Sequence, residues 1–184
     1  RDRDLWDPES CRALLSGAPD DKMMLIDLAV DFNHYVWQSE MNWDFYSGFF
    51  GKEWIFSTVP NFGGRSALTG ALDFYANGHL EALASPNRGA LTGYGTSPEG
   101  VENNDVIYEV IAAAGWSDRP IDLKAFLHDF SRSRYGAVPA GIETFWEEML
   151  QSAYGTFTNN ARYRWQLRPP VHRMPTMGIN DHYY

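Results

Sequence analysis

The chain has 184 residues, 44% hydrophobic and 21% charged, which gives room for one domain with a substantial core and excludes a disordered segment. A net charge of −9 leaves no basic stripe to meet phosphates, which argues against a nucleic-acid partner and against a polybasic membrane contact. Cys11 is the only cysteine, so no internal disulfide can form, and no apolar run reaches the roughly 18 residues of a membrane-spanning helix.

The first predicted element is a short helix over Asp7 to Leu15, with Asp7 as N-cap, Pro8 at the first helical position and Gly17 as the stop. Lys22 to Val30 reads as a buried strand, an apolar run bounded by turn residues. Asp31 to Gly51 is polar and aromatic without a clean period and reads as a long loop, a length at which ordered loops are often functional. Glu53 to Val59 is a second strand, closed by Pro60-Asn61-Phe62-Gly63-Gly64. Leu68 to Tyr75 reads as a helix, followed by a segment without a clear signature to Leu83, and Gly89 to Thr92 is a third, weaker strand.

The run Gly93-Tyr94-Gly95-Thr96-Ser97-Pro98-Glu99-Gly100 then reads as a glycine-rich turn, and Asp105 to Ala114 as a helix with Val106, Ile107, Val110 and Ile111 on one face and Gly115 past its end. In the last third the character changes. Helices are expected over Asp122 to Tyr135, capped by Asp122 and stopped by Gly136, and over Ile142 to Tyr154, with no strand signal between them. Strands alternating with helices imply parallel pairing, in either an open doubly wound sheet or the closing part of a (β/α)8 barrel. The polar or aromatic residues at all three strand ends (Asp27 and Asp31, Asn61, Glu99) lean towards the barrel, whose functional face lies there.

Several residues could carry chemistry. Glu99 lies between a strand and a helix that begins near Asn103 or Asn104, where the helix dipole favours an ionised carboxylate. An ionised glutamate suits the nucleophile of a retaining glycosidase. On spacing alone, a plain acid ahead of a helix is the stronger reading, and Glu102 and Asp105 compete as first-turn acids. Asn61 with Gly63 and Gly64 can bring backbone and a side-chain amide close to sugar hydroxyls, or can simply make a tight turn. Asp27 and Asp31 are readable as hydroxyl binders or as loop caps. The aromatic fraction of 15% serves either a large core or stacking platforms for sugar rings. The five histidines are scattered without ligand-like spacing, so no metal site is suggested, and no phosphate-binding loop or serine-nucleophile motif is present. No second carboxylate stands out as the partner that acid/base work requires.

Three segments, Trp54 to Arg65 (WIFSTVPNFGGR), Gly93 to Gly100 (GYGTSPEG) and Asn103 to Trp116 (NNDVIYEVIAAAGW), together resemble the α-N-acetylglucosaminidases, family 89 of the glycoside hydrolases, in wording closest to the bacterial branch. The resemblance spans roughly residues 5 to 155, with its motifs in the family's order. It implies a retaining exo-enzyme that releases terminal non-reducing α-linked N-acetyl-D-glucosamine. It also implies an α/β fold: the late strand–helix units of a catalytic (β/α)8 barrel over residues 1–118, then the start of an all-helical C-terminal domain over 119–184. Glu99 matches the family nucleophile. Asn61, Gly63 and Gly64 match a pocket-lining segment, Trp54 leads into it, and Asp27 is carried as a further substrate contact. The family's general acid/base stands on an earlier strand outside this chain, so the chain reads as a piece of a longer protein, inactive and poorly soluble on its own.

No cofactor is implied. The expected partners are a glycan ending in α-N-acetylglucosamine and the rest of the same polypeptide. The implied location is secreted, periplasmic or cell-surface for a bacterial member and lysosomal for animal relatives. Two alternatives stand beside this reading: a non-catalytic carbohydrate-binding relative, and a glycosidase of different sugar specificity.

Overall fold

The computed structural model describes residues 3–60, 70–99 and 104–157. Three strands, β1 (Met24–Asp27), β2 (Glu53–Thr58) and β3 (Ala90–Thr96), pair in that order in one parallel sheet. This is the pairing that alternating strands and helices imply, because parallel neighbours need a crossover between them. β1 is shorter than its apolar run. Ala29 adopts a left-handed conformation (φ 63°) that ends the extended chain, and a helical turn, α2 (Val30–Phe32), starts at once.

β3 is longer than expected, and the first half of the supposed turn, Gly93 to Thr96, is strand. Gly95 serves close packing: a Cβ there would stand 3.1 Å from Ile55 Cγ2. The register between β2 and β3 slips at Trp54/Ile55, so Thr92 is an extra residue between Leu91 and Gly93. Beyond that bulge Tyr94 turns to the same face as Phe56, its ring edge-on to the Phe56 ring at 5.2 Å.

The stretch from Asp31 to Gly51 is not an irregular loop. It winds through α2, a π-helical turn (Asn33–Trp37), α3 (Asn42–Phe45) and a 3-10 turn (Gly48–Gly51). Aromatic packing holds these turns: Trp43 stacks on Trp54 with centroids 6.3 Å apart, and Tyr35 stacks on Phe157 at 5.2 Å. The period is unreadable in sequence because no single turn is long enough to display one.

The remaining helices are α1 (Pro8–Leu15), α4 (Leu72–Asn77), α5 (His79–Ala84), α6 (Asp105–Ala114), α7 (Leu123–Tyr135) and α8 (Ile142–Gln151). Their ends follow local chemistry. Asp7 accepts from the Ser10 amide, Asp122 accepts from the Lys124 and Ala125 amides, and Gly136 closes α7 at φ 73°. The segment running to Leu83 is a second short helix, α5, set off by Gly78. α8 stops at Gln151, three residues short of Tyr154. Tyr154 folds back through its amide to the Met149 carbonyl (2.8 Å), and its own carbonyl accepts from Leu72 N–H (3.0 Å).

The two faces of the sheet differ. Trp54, Phe56 and Tyr94 point to the helices, where Leu72, Tyr75, Ala76, Ile107 and Val110 bury around them. Most aromatic rings are spent in this core. On the other face Met24 and Ile26 are more than half exposed, beside Ile55, Gly93 and Gly95. α7 and α8 pair with each other: Trp146 Nε1 donates to Ser131 Oγ (2.7 Å), which donates to the Leu127 carbonyl (2.8 Å).

The entry to β3 docks on the 3-10 turn through glycines. A Cβ on Gly48 would lie 2.5 Å from Gly89 Cα and 2.8 Å from the Asn87 carbonyl oxygen, whereas one on Gly51 would meet nothing within 4 Å. Both have positive φ, so alanine costs each about 1 kcal/mol in conformation, and Gly48→Ala adds a backbone clash. Gly48→Ala is expected to destabilise the protein by about 2–4 kcal/mol and Gly51→Ala by about 1 kcal/mol. Thermal melting of the two variants checks this, and equal shifts would remove the close approach as a constraint.

Candidate active site

Parallel pairing places the carboxyl ends of all three strands along one edge of the sheet, the position in α/β folds where loops assemble a site. β1 ends at Asp27. β2 ends at Thr58 and continues into Val59 and Pro60. β3 ends at Thr96 and continues through Ser97 and Pro98 to Glu99. The ends of β2 and β3 are clamped together. Ser97 N–H donates to the Thr58 carbonyl at 2.9 Å, Thr96 Oγ1 donates to the same carbonyl at 3.3 Å, and the Ser57 and Ser97 hydroxyls lie 3.4 Å apart. The ladder thus runs one residue past β3, and Glu99 stands two residues beyond its last bond, with an exposed side chain.

Behind this edge is a buried polar chain. The Asp31 carboxylate is 0% exposed and takes the Val59 amide on both oxygens, at 3.0 and 3.1 Å. Tyr75 donates its hydroxyl to Asp31 Oδ2 (3.1 Å), and the Tyr75 carbonyl accepts from the Tyr94 hydroxyl (2.9 Å). Burial pushes the Asp31 carboxyl up to about 6, against the pull of the hydrogen bonds from Val59, Tyr75 and Phe32. Burial beside Asp31 also drives the Tyr75 hydroxyl well above its usual range. Tyr75 and Tyr94 were not singled out in the sequence. The available signal was a tyrosine within an apolar stretch, whose hydroxyl needs a partner once buried.

Asp27 is buried at the end of β1 on the helix-facing side. One of its oxygens accepts from Asn42 Nδ2 (2.9 Å), and the other has no hydrogen-bond partner among the described residues. Burial raises its carboxyl to about 6, opposed by hydrogen bonds from Asn42 and the Trp43 amide. Trp54 is 0% exposed near the start of β2, with its Nε1 donating to the Arg88 carbonyl (2.7 Å) and its ring between those of Trp43 and Phe49. Asn61, Gly63, Gly64, Glu102 and Asn103 lie outside the described residues. Asp105 is in the first turn of α6 and ion-pairs with Arg134 of α7, which ties it to helix packing. Among the described residues, no three His, Cys, Asp or Glu side chains stand together as a metal site, and no helix is long and apolar enough to cross a membrane.

Comparison with known proteins places these features in a family. The model of the α-N-acetylglucosaminidase (NAGLU) TIM-barrel domain matches residues 1–118. Human α-N-acetylglucosaminidase is 30% identical over 176 residues, which cover 95% of this chain and 22% of the human protein. Among solved structures, the family 89 glycoside hydrolase of Clostridium perfringens in complex with PUGNAc superposes with a TM-score of 0.66 at 26% identity, over 81% of this chain and 16% of that one. The same clostridial protein, with two glutamates replaced by glutamine and bound to its substrate GlcNAc-α-1,4-galactose, matches at 25% identity with a TM-score of 0.66, over 82% of this chain and 16% of that one. The chain therefore spans about a fifth of the length of the human relative.

The raised Asp27 carboxyl has a consequence for stability. In the unfolded chain it ionises near the ordinary carboxylate value of about 3.8, and in the folded protein burial pushes it up to about 6. Its contribution to stability is therefore fully present below about pH 4 and is lost as pH rises through about 6. Asp27→Asn removes this dependence and keeps the acceptor for Asn42. Relative to wild type, the variant is expected to gain up to about 3 kcal/mol between about pH 4 and pH 7. Melting midpoints at the two pH values check it, and a pH-independent difference would contradict it.

Proposed function

Because the chain belongs to the α-N-acetylglucosaminidase family, family 89 of the glycoside hydrolases, and carries a segment of its TIM-barrel domain, we propose that it holds the nucleophile of a retaining exo-glycosidase. The enzyme would release terminal non-reducing α-linked N-acetyl-D-glucosamine by double displacement. The observation that carries this reading is the placement of Glu99: an exposed carboxylate just past the carboxyl end of a parallel strand, within a barrel-domain segment. Residues 1–118 are then the late strand–helix units of the barrel. Residues 119–184 open the helical domain, a division supported by the pairing of α7 with α8 without an intervening strand among the described residues.

In this reading Glu99 attacks the anomeric carbon from the β face. A carboxylic acid elsewhere in the polypeptide protonates the leaving oxygen, and a β-linked glycosyl-enzyme forms. Water, activated by that second group, then attacks from the α face and returns the sugar with its configuration retained. The substrate complex of the clostridial relative, obtained with two glutamates replaced, supports a two-carboxylate chemistry. Asn61, Gly63 and Gly64 follow directly on β2 and would line the pocket beside Glu99. Asp27 and Trp54, both buried towards the helices, support the strands that carry it. The apolar face of Met24 and Ile26 fits a surface that the rest of the polypeptide covers.

The test uses the complete protein and an aryl α-N-acetylglucosaminide whose leaving group needs little acid assistance. Glu99→Gly is expected to lose several orders of magnitude in turnover, and added azide is expected to restore it with a β-glycosyl azide as product. Near-normal rates in Glu99→Gly would remove the nucleophile assignment. A wild type that binds the sugar without turnover would mark a carbohydrate-binding relative.

A further inference from the structure

The buried chain behind the strand ends has a geometry that bears on Glu99. The Thr58–Val59 peptide is one rigid plane whose C=O and N–H point to opposite sides. Its C=O accepts from Ser97 N–H (2.9 Å), and its N–H donates to both oxygens of Asp31 (3.0 and 3.1 Å). Turning the plane to follow a displaced Asp31 would break the Ser97 bond, and Ser97 is two residues from Glu99. A second route runs from Asp31 through the Tyr75 hydroxyl and the Tyr75 carbonyl to the Tyr94 hydroxyl, which is on β3 itself. Both routes start at one carboxylate that is fully buried and touches no solvent. Beside the neighbouring Phe32 amide, Asp31 takes partners 28 and 44 residues away in the chain, which a purely local role does not require.

We propose that Asp31 is a positioning residue for the reaction: it orients the Thr58–Val59 peptide and, through Ser97 and Tyr94, sets where β3 presents Glu99. The inference rests on the assignment of Glu99 as nucleophile. Asp31 does not touch substrate. It acts on the approach of the Glu99 carboxylate to the anomeric carbon, so its loss lowers kcat and leaves ground-state binding nearly intact.

Three variants of the complete protein test this. Asp31→Ala leaves the Val59 N–H buried without an acceptor. It is expected to lower kcat by about 100-fold with KM within about threefold of wild type. Asp31→Asn keeps one acceptor oxygen and is expected to recover most of that loss. Tyr75→Phe cuts only the second route and is expected to lower kcat by about 3- to 10-fold. The stoichiometry of N-acetylglucosamine binding counts competent sites: a rate per site that falls at unchanged stoichiometry supports positioning. A kcat per site equal to wild type in Asp31→Ala, with activity lost only in step with the number of sites, overturns it.

Should Asp31→Ala fail to fold, Asp31→Asn and Tyr75→Phe still decide by hydrogen exchange. Faster exchange over residues 94–99 than in wild type supports the coupling, and unchanged exchange there overturns it. If Glu99→Gly itself keeps its rate, the functional assignment fails, and the exchange result still reports on the coupling separately.

Discussion

The ends of β2 and β3 are tied together through a carboxylate shielded from solvent. Asp31 is buried among aromatic side chains, and an ionised or even protonated carboxyl in that setting is tolerated only when its oxygens are hydrogen-bonded. Val59 N–H and the Tyr75 hydroxyl meet that demand, and in doing so they tie the end of β2 to the middle of α4. The constraint then spreads outward. Tyr75 in turn offers its carbonyl to Tyr94, and the far side of the Thr58–Val59 peptide holds Ser97. A hydrophobic core of the same volume would cost less to bury, since taking a carboxylate out of water can cost more than its partners return. What the polar chain supplies is direction: hydrogen bonds specify the angle at which strand ends meet, and dispersion contacts do not.

The two faces of the sheet extend the same logic. Helix-facing positions carry Trp54, Phe56 and Tyr94, large rings that lock β2 and β3 against α4, α5 and α6. The opposite face carries Ile55, Gly93 and Gly95. Gly95 there leaves room for the Ile55 side chain, which a Cβ would approach to 3.1 Å. The bulge at Thr92 makes this division possible, because without it Tyr94 would fall on the face of Ile55 and the Asp31–Tyr75–Tyr94 chain would not form. A family whose domain is a TIM barrel gives that face a natural place, since inward positions of parallel barrels are filled in layers by several strands together.

How much of this was legible in the sequence depends on the range of the interaction concerned. Helix ends governed by neighbours three residues away, such as those at Asp7, Asp122 and Gly136, were readable residue by residue. The parallel sheet followed from strand–helix alternation. The extent of β3 was not readable, because glycine signals a turn locally and its reason here is a contact with Ile55, some 40 residues distant in the chain. The segment from Asp31 to Gly51 was misjudged for a related cause: its helical turns are too short for a period and are held by rings from elsewhere. The role proposed for Glu99 rests on the family motif, for spacing alone does not separate it from an ordinary acid ahead of a helix. The partners of Asp31 were not legible by any local rule.

The contrast between Glu99 and Asp31 is informative about how such a site is built. Glu99 is exposed at the end of a strand, where a side chain can meet a sugar. Asp31 is sealed in the interior, where a side chain can only meet the protein. A carboxylate with the nucleophile's role proposed for Glu99 cannot be held by burial, because burial would raise its proton affinity and close its approach. Its precision has to come from the backbone that carries it. That backbone is steadied most directly where a strand ends, by bonds to the last peptide of the neighbouring strand. Here that peptide is Thr58–Val59, and the bonds it makes on its two sides connect Ser97, two residues before Glu99, to the buried Asp31.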